Sequence, residues 1–232
     1  MNRTLHGFGL GLRPQHYAAL LGGGDDAVDW LEIVSENFLV DGGRPLAMLD
    51  RFAERWPLAM HGVALDIGGS DPLDRDYLRA LAKLAKRVRP AIVSDHLCWS
   101  RHRGVQLHDL LPLPQTGEAV RHVAARVRAV QDALGMRLAL ENVSSYLRFA
   151  GDEMDEAAFL KHLADFRENT KVRYPFAVGT AADMKNYGIT GIPTVFVLDK
   201  EGRVTYAAVG GMKEHLLNIA IDRLLKKPVT GK

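Results

Sequence analysis

The feature that most constrains this chain is an alternation. Short apolar runs recur along residues 1–160, and amphipathic helical stretches lie between them. The runs are Leu5–Leu12, Val28–Val34, Leu58–Val63, Ala91–Ser94 and Arg137–Leu140, and the helical stretches lie near 14–21, 45–56, 74–88 and 116–134. Runs this brief and this apolar suit strands buried on both faces. Parallel neighbours need a crossover long enough to hold a helix, so strand–helix alternation predicts a parallel α/β sheet. Pro14, Pro45 and Pro57 punctuate the element edges, and Asp74 and Thr116 are placed to cap helices. Five such units build either an open doubly wound sheet or part of a barrel, and periodicity does not choose between them.

Composition narrows the class. At 232 residues, 47% hydrophobic and 25% charged, the chain has material for one large or two small globular domains, which excludes disorder as the main reading. No stretch approaches the roughly 18 apolar residues of a spanning helix. The opening MNRTLHGFGLGLR lacks a continuous apolar core and a small-residue cleavage site, so a cytoplasmic protein without membrane attachment is expected. Cys98 is the sole cysteine, which excludes an intrachain disulfide, a CxxC redox centre and a Cys-rich zinc site together. Any metal must therefore be held by histidine and carboxylate. With 30 basic and 28 acidic residues the chain has no electrostatic footprint for nucleic acid or an anionic membrane.

Charge usage changes near Leu160. Up to that residue there are 16 Arg, 2 Lys and 21 acidic residues; beyond it there are 4 Arg, 8 Lys and 7 acidic residues. At exposed helix positions either cation serves, so this change reads as two segments of separate history, 1–160 and 161–232, joined within residues 155–168.

Polar residues gather where the predicted strands end. Glu36-Asn37 follows the second, His61 closes the third, Asp95-His96 the fourth and Glu141-Asn142 the fifth. In a barrel such ends converge on one face, where active sites are built. Two imidazoles and a carboxylate suit iron, manganese or zinc. Taken singly, His61 reads as a satisfied histidine and Glu141 as a structural acid; at successive strand ends they read together as a site. Cys98, between Leu97 and Trp99, reads as a buried apolar residue, with a nucleophile as the alternative. The opening Gly7-Phe8-Gly9-Leu10-Gly11 misses dinucleotide-binding spacing.

The strings LEIVSENFL (31–39), MHGVALDIGG (60–69), SDHLCWS (94–100), LHDLLPLP (107–114) and ALENVSSY (139–146) resemble the multinuclear non-heme iron-dependent oxidative enzymes, MNIO. The resemblance runs without a gap from about residue 5 to 160. It implies a TIM-type barrel that holds two or three irons and uses dioxygen to modify residues of a peptide, often delivered by a partner protein. On it His61, His96 and Glu141 match iron ligands, and Asp95, Asn142 and His108 take supporting roles. The family's later metal-binding strings do not occur in this sequence. A whole barrel takes about 250 residues, so the expected architecture is a partial barrel of about five strands. The resemblance thus implies an incomplete metal set, with iron as the expected cofactor or lost or replaced where that set does not hold it, and an expected activity that is reduced or absent. Unpaired edges invite self-association.

After Leu160 the string FRENTKVRYPFAVGTAADMKNYGITGIPTVFVLDKEGRVTYAAVGG is followed by an amphipathic helix from about Met212 to Leu225. Thr194–Asp199 and Arg203–Val209 read as a hairpin around Lys200-Glu201-Gly202. This segment resembles the C-terminal portion of thioredoxin-like thiol-disulfide oxidoreductases, whose cis-proline loop is matched by Ile192, Pro193 and Thr194. It contains no cysteine, so thiol exchange has no nucleophile here. The expected chain is a chimera of two α/β fragments. Its function is either MNIO-like oxidation or, as alternatives, that of an inactive hybrid or of a thioredoxin-like binding module without redox cysteines.

Overall fold

The computed structural model describes residues 5–23, 28–143, 147–170, 194–198 and 204–209. It divides into two compact units, Met1–Val178 and Gly179–Lys232.

In the first unit β1 (Gly9–Gly11) leads through a short 3-10 turn into α1 (Tyr17–Leu21), β2 (Trp30–Val34) into α2 (Arg44–Arg55), and β3 (Leu58–His61) into α3 (Arg75–Val88). β4 (Ile92–Leu97) is followed by a hairpin, β5 (Trp99–His102) and β6 (Val105–Leu111), and then by α4 (Gly117–Leu134). β7 (Leu138–Asn142) precedes α5 (Glu156–Thr170). All five predicted runs are strands and all four predicted helical stretches are helical. The hairpin and α5 were not anticipated. α5 is continuous across Leu160.

β1, β2, β3, β4 and β7 form one parallel sheet in that order. Successive βα units are laid down in one direction without the reversal that defines a doubly wound sheet, and this progression is compatible with part of a TIM-type barrel. Register fixes the two faces. Ile33, Met60, Val93 and Leu138 are aligned across four strands and all are buried. They form one core with Leu49 and Phe52 of α2, Leu81 of α3, Val123 and Val127 of α4 and Leu163 of α5. Side chains alternate along a strand. The opposite face therefore carries Glu32, Val34, Ala59, His61, Ser94, His96, Ala139 and Glu141.

Local chemistry sets the helix ends. The Asp74 carboxylate accepts from the Asp76 and Tyr77 amides to start α3, and Thr116 Oγ1 accepts from the Ala119 amide to start α4. α4 stops at Gly135 in the left-handed region, φ 68°. The β5–β6 hairpin turns on Arg103 and Gly104, both at positive φ as a two-residue type I′ turn requires. Arg is an unusual residue for that turn, which hid the hairpin in the sequence. The Asp71 carboxylate offsets the strain by accepting from both turn amides, at 3.0 and 2.8 Å.

In the second unit β8 (Thr194–Leu198) and β9 (Val204–Val209) pair antiparallel as a two-stranded sheet of their own, which is the predicted hairpin. Ile192 and Pro193, the Lys200-Glu201-Gly202 turn and the predicted helix from Met212 lie outside the described residues. Among the described residues no helix is long and apolar enough to cross a membrane.

Candidate metal centre

His61 is the last residue of β3, His96 lies near the end of β4 and Glu141 near the end of β7. His61 is aligned with Ser94, and His96, two residues further on, with Glu141. All four side chains thus leave the same face of the sheet at its carboxyl end. A nitrogen of each imidazole and an oxygen of Glu141 lie within 4.8 Å of one another, a spacing that can hold a metal ion.

Each donor is prepared differently. Ser94 Oγ lies 2.9 Å from His61 Nδ1. In the tautomer that donates from Nδ1, Nε2 keeps its lone pair, and this nitrogen stands 3.7 Å from Glu141 Oε2. The His61 and His96 rings meet edge to face, with centroids 4.6 Å apart. Burial, reinforced by the neighbouring His61, pushes the His96 pKa down and favours the neutral imidazole that metals require. His96 Nδ1 is buried and has no hydrogen-bond partner among the described residues. An orphaned buried nitrogen is costly unless something binds it, so the donor set fits a cation. Glu141 is the open member, with its side chain 61% exposed against 13% for His61.

The other sequence-predicted residues take different places. Asp95 lies on the core side of β4, where its carboxylate accepts from the His96 amide at 2.7 Å and from the Leu65 amide at 3.3 Å. Burial, with Glu36 and Asp66 nearby, pushes its pKa up to about 8. Asn142 points away from the donor set and donates from Nδ2 to Glu156 Oε1 at 2.9 Å, which ties β7 to α5. His108 is exposed on β6 at φ 54°, inside the register shift between the pairs Arg101–Gln106 and Trp99–Leu111. It is not part of the clustered donors. Thr194 opens β8, in the second unit. Cys98 is buried, and burial with the nearby Asp95 and Asp66 carboxylates pushes its thiol up to about 12, so the apolar reading holds.

Three participants escaped the sequence reading. Ser94 sits inside a recognised string, yet its pairing with His61 depends on register. Asp66 and Arg126 belong to the loop between β3 and α3 and to α4. Arg126 donates to the Asp66 and Asp71 carbonyls at 2.8 and 2.7 Å, which pins the loop that follows His61.

Five of the six exposed large apolar side chains among the described residues follow a strand of the parallel sheet; the sixth, Phe8, precedes β1. Val40 follows β2, Val63 follows β3, Val105 and Leu107 lie on the hairpin after β4, and Leu147 follows β7.

Comparison with known proteins gives the chain a family. The profile of the RiPP precursor modification enzymes MbnB/TglH/ChrH matches residues 7–170. The chain belongs to this family. The MbnB/TglH/ChrH match contains all five parallel strands and all three clustered donors. The chain is 51% identical over 162 residues to a UPF0276 protein of Anaeromyxobacter sp. strain Fw109-5, covering 70% of this chain and 57% of that relative. It is 52% identical over 157 residues to a UPF0276 protein of Caulobacter vibrioides, covering 68% and 56%. To one of Acaryochloris marina it is 44% identical over 160 residues, covering 69% and 57%. The chain thus spans a little over half the length of the curated relatives it matches.

Proposed function

We propose that the chain contributes His61, His96 and Glu141 to an iron centre for oxidative modification of a peptide. The observation that carries this reading is the meeting of three donors from three separate strands within 4.8 Å, one of them on a buried His96 whose Nδ1 has no hydrogen-bond partner among the described residues. Iron bound there would supply the redox chemistry that couples dioxygen to oxidation of the substrate. The protein's part is to hold two imidazoles rigidly through Ser94 and the core, and to leave the Glu141 side facing solvent.

A peptide substrate is supported by the family description and by the exposed apolar side chains on the loops around the strand ends. A partner protein that delivers the peptide completes the reading. Two imidazoles and one carboxylate are a reduced set for a multinuclear centre, and the match covers just over half of the relatives' length. The expected activity of this chain alone is accordingly reduced or absent. Among the described residues the outer strands β1 and β7 each pair on one side in the sheet, and we propose self-association through those edges. The lack of disulfide-forming cysteines supports a cytoplasmic setting. For the C-terminal segment we propose a separate, thioredoxin-like origin and a redox-inert binding role. This rests on the change in Arg and Lys usage, the family match ending at residue 170 and the hairpin from Thr194 to Val209.

The test is iron, manganese and zinc content per chain, measured on monodisperse wild type and His61→Ala prepared side by side. About one iron per chain that disappears in the variant is the expected result. Equal metal content in the two proteins, or none in the wild type, overturns the reading.

A further inference from the structure

The segment that follows His61 is held by a carboxylate from another strand end. Glu36, in the turn after β2, accepts through one oxygen from the Val63 amide at 2.8 Å, the Ala64 amide at 3.1 Å and the Tyr77 hydroxyl at 2.7 Å. The next amide, Leu65, donates to Asp95, and Gly62 donates to the Ser94 carbonyl at 2.8 Å. Four consecutive amides after His61 are therefore fixed by acceptors, two of them by Glu36. Gly62 is packed so closely that a Cβ would run into the Asp95 carboxylate and meet the Tyr77 hydroxyl at 3.1 Å. Tyr77 comes from the first turn of α3, so three elements converge behind one two-residue backbone segment.

The second oxygen of Glu36 is buried and has no hydrogen-bond partner among the described residues. A carboxylate held this way is a poor choice for stability alone, because an uncompensated buried oxygen is penalised. It is a good choice where backbone placement matters, because a charged acceptor binds amides more strongly than a neutral one.

We propose that Glu36 is a positioning residue for the metal centre: by clamping the Val63–Ala64 backbone against Tyr77 it fixes the direction in which His61 presents its ring. The inference rests on the metal reading above and adds a residue to it. Glu36 itself is not among the clustered donors. Outer residues that orient a ligand typically change metal affinity by about 10–100-fold when removed.

The experiment uses the full chain with Co(II) as the probe. It compares wild type, Glu36→Ala, Glu36→Gln and Tyr77→Phe by titration calorimetry and by the visible spectrum of the bound ion, with amide exchange at Val63 and Ala64 as a metal-free readout. Glu36→Ala is expected to lose protection at those two amides, keep it at Gly62, and bind Co(II) about 10–100-fold more weakly with an altered spectrum. Glu36→Gln keeps a carbonyl acceptor and is expected to restore the spectrum and most of the affinity, which a purely structural role does not predict. Tyr77→Phe is expected to weaken binding less than Glu36→Ala and serves as the deciding variant if Glu36→Ala does not fold. Wild-type affinity and spectrum in Glu36→Ala, or in Tyr77→Phe where only that variant folds, overturn the inference while leaving the metal reading in place. A wild type that binds no Co(II) overturns the metal reading, and the inference falls with it.

Discussion

His96 and Glu141 are register partners on adjacent parallel strands, β4 and β7, so an imidazole and a carboxylate far apart in sequence leave the sheet side by side. The hairpin and α4 between them serve as one crossover, and its buried residues Val123, Val127 and Val130 belong to the same core as Val93 of β4 and Leu138 of β7. The pairing is therefore a property of the sheet and does not depend on a flexible loop. Its two members are unequal: His96 is buried and Glu141 is open to solvent.

That inequality separates stability from binding. Glu141→Gln changes an exposed side chain and is expected to alter unfolding free energy by less than about 0.5 kcal/mol. Metal affinity is expected to fall by at least about 10-fold, because a charged donor becomes a neutral one. Paired urea unfolding and Co(II) titration check this. A stability loss above 2 kcal/mol would show that the glutamate is structural.

The hairpin turn gives a pH dependence. The Gly104 amide, with that of Arg103 and the charge of Arg101, holds the Asp71 carboxyl below its usual range against a smaller effect of burial. A carboxyl depressed in the folded state contributes stability that is complete above its unfolded pKa, about 3.9, and lost as pH falls through the lower folded value. The Gly104 and Arg103 amide resonances are expected to titrate below pH 3.9, and to stop doing so in Asp71→Asn. Titration at or above the ordinary value would mean that the turn is not anchored there.

Much of this was legible beforehand, and the reasons are specific. Ile33, Met60, Val93 and Leu138 lie in unbroken apolar runs, so their strands were readable, and Asp74 and Thr116 announced their helices by their capping chemistry. His61, His96 and Glu141 were readable because each falls at the end of such a run. The pairing of Ser94 with His61 was not, since it depends on which residues of two distant strands lie level. The Arg103-Gly104 turn was hidden because its positive φ is sustained by Asp71, thirty or so residues earlier, and not by the usual Asn or Asp in the turn. Glu36 was visible as a polar residue at a strand end, but its acceptor role lies in a contact with backbone, which leaves no trace in the sequence.

Arg126 is expected to matter for the fold more than its place on a charged helix suggests. It is 9% exposed and donates to the carbonyls of Asp66 and Asp71. Burial lowers its pKa, with Asp66 acting in the opposite sense. Arg126→Ala removes both donors and leaves two carbonyls of the β3–α3 loop unserved, a loss on the order of 3 kcal/mol. Urea unfolding measures it, and a change under about 1 kcal/mol would mean that water replaces the guanidinium without penalty.

Gly62 provides the sharpest local test, because its requirement is spatial. Its φ is not in the left-handed region, so alanine is conformationally acceptable there, yet a Cβ has no room beside Asp95 and Tyr77. Gly42, in the loop before α2, also lies outside that region and has nothing within 4 Å of a built Cβ, which makes Gly42→Ala the matched control. Gly62→Ala must push the Val63–Ala64 backbone away from Glu36 or displace Asp95, and overpacking of this kind costs about 1–3 kcal/mol. Because His61 is the preceding residue, its ring shifts with the backbone, and Co(II) affinity is expected to drop by at least about 10-fold while the far-ultraviolet spectrum stays unchanged. Gly42→Ala is expected to match wild type in both stability and binding. If Gly62→Ala also matches wild type in both, the segment after His61 is looser than its hydrogen bonds indicate, and the placement of the ring is not set from there.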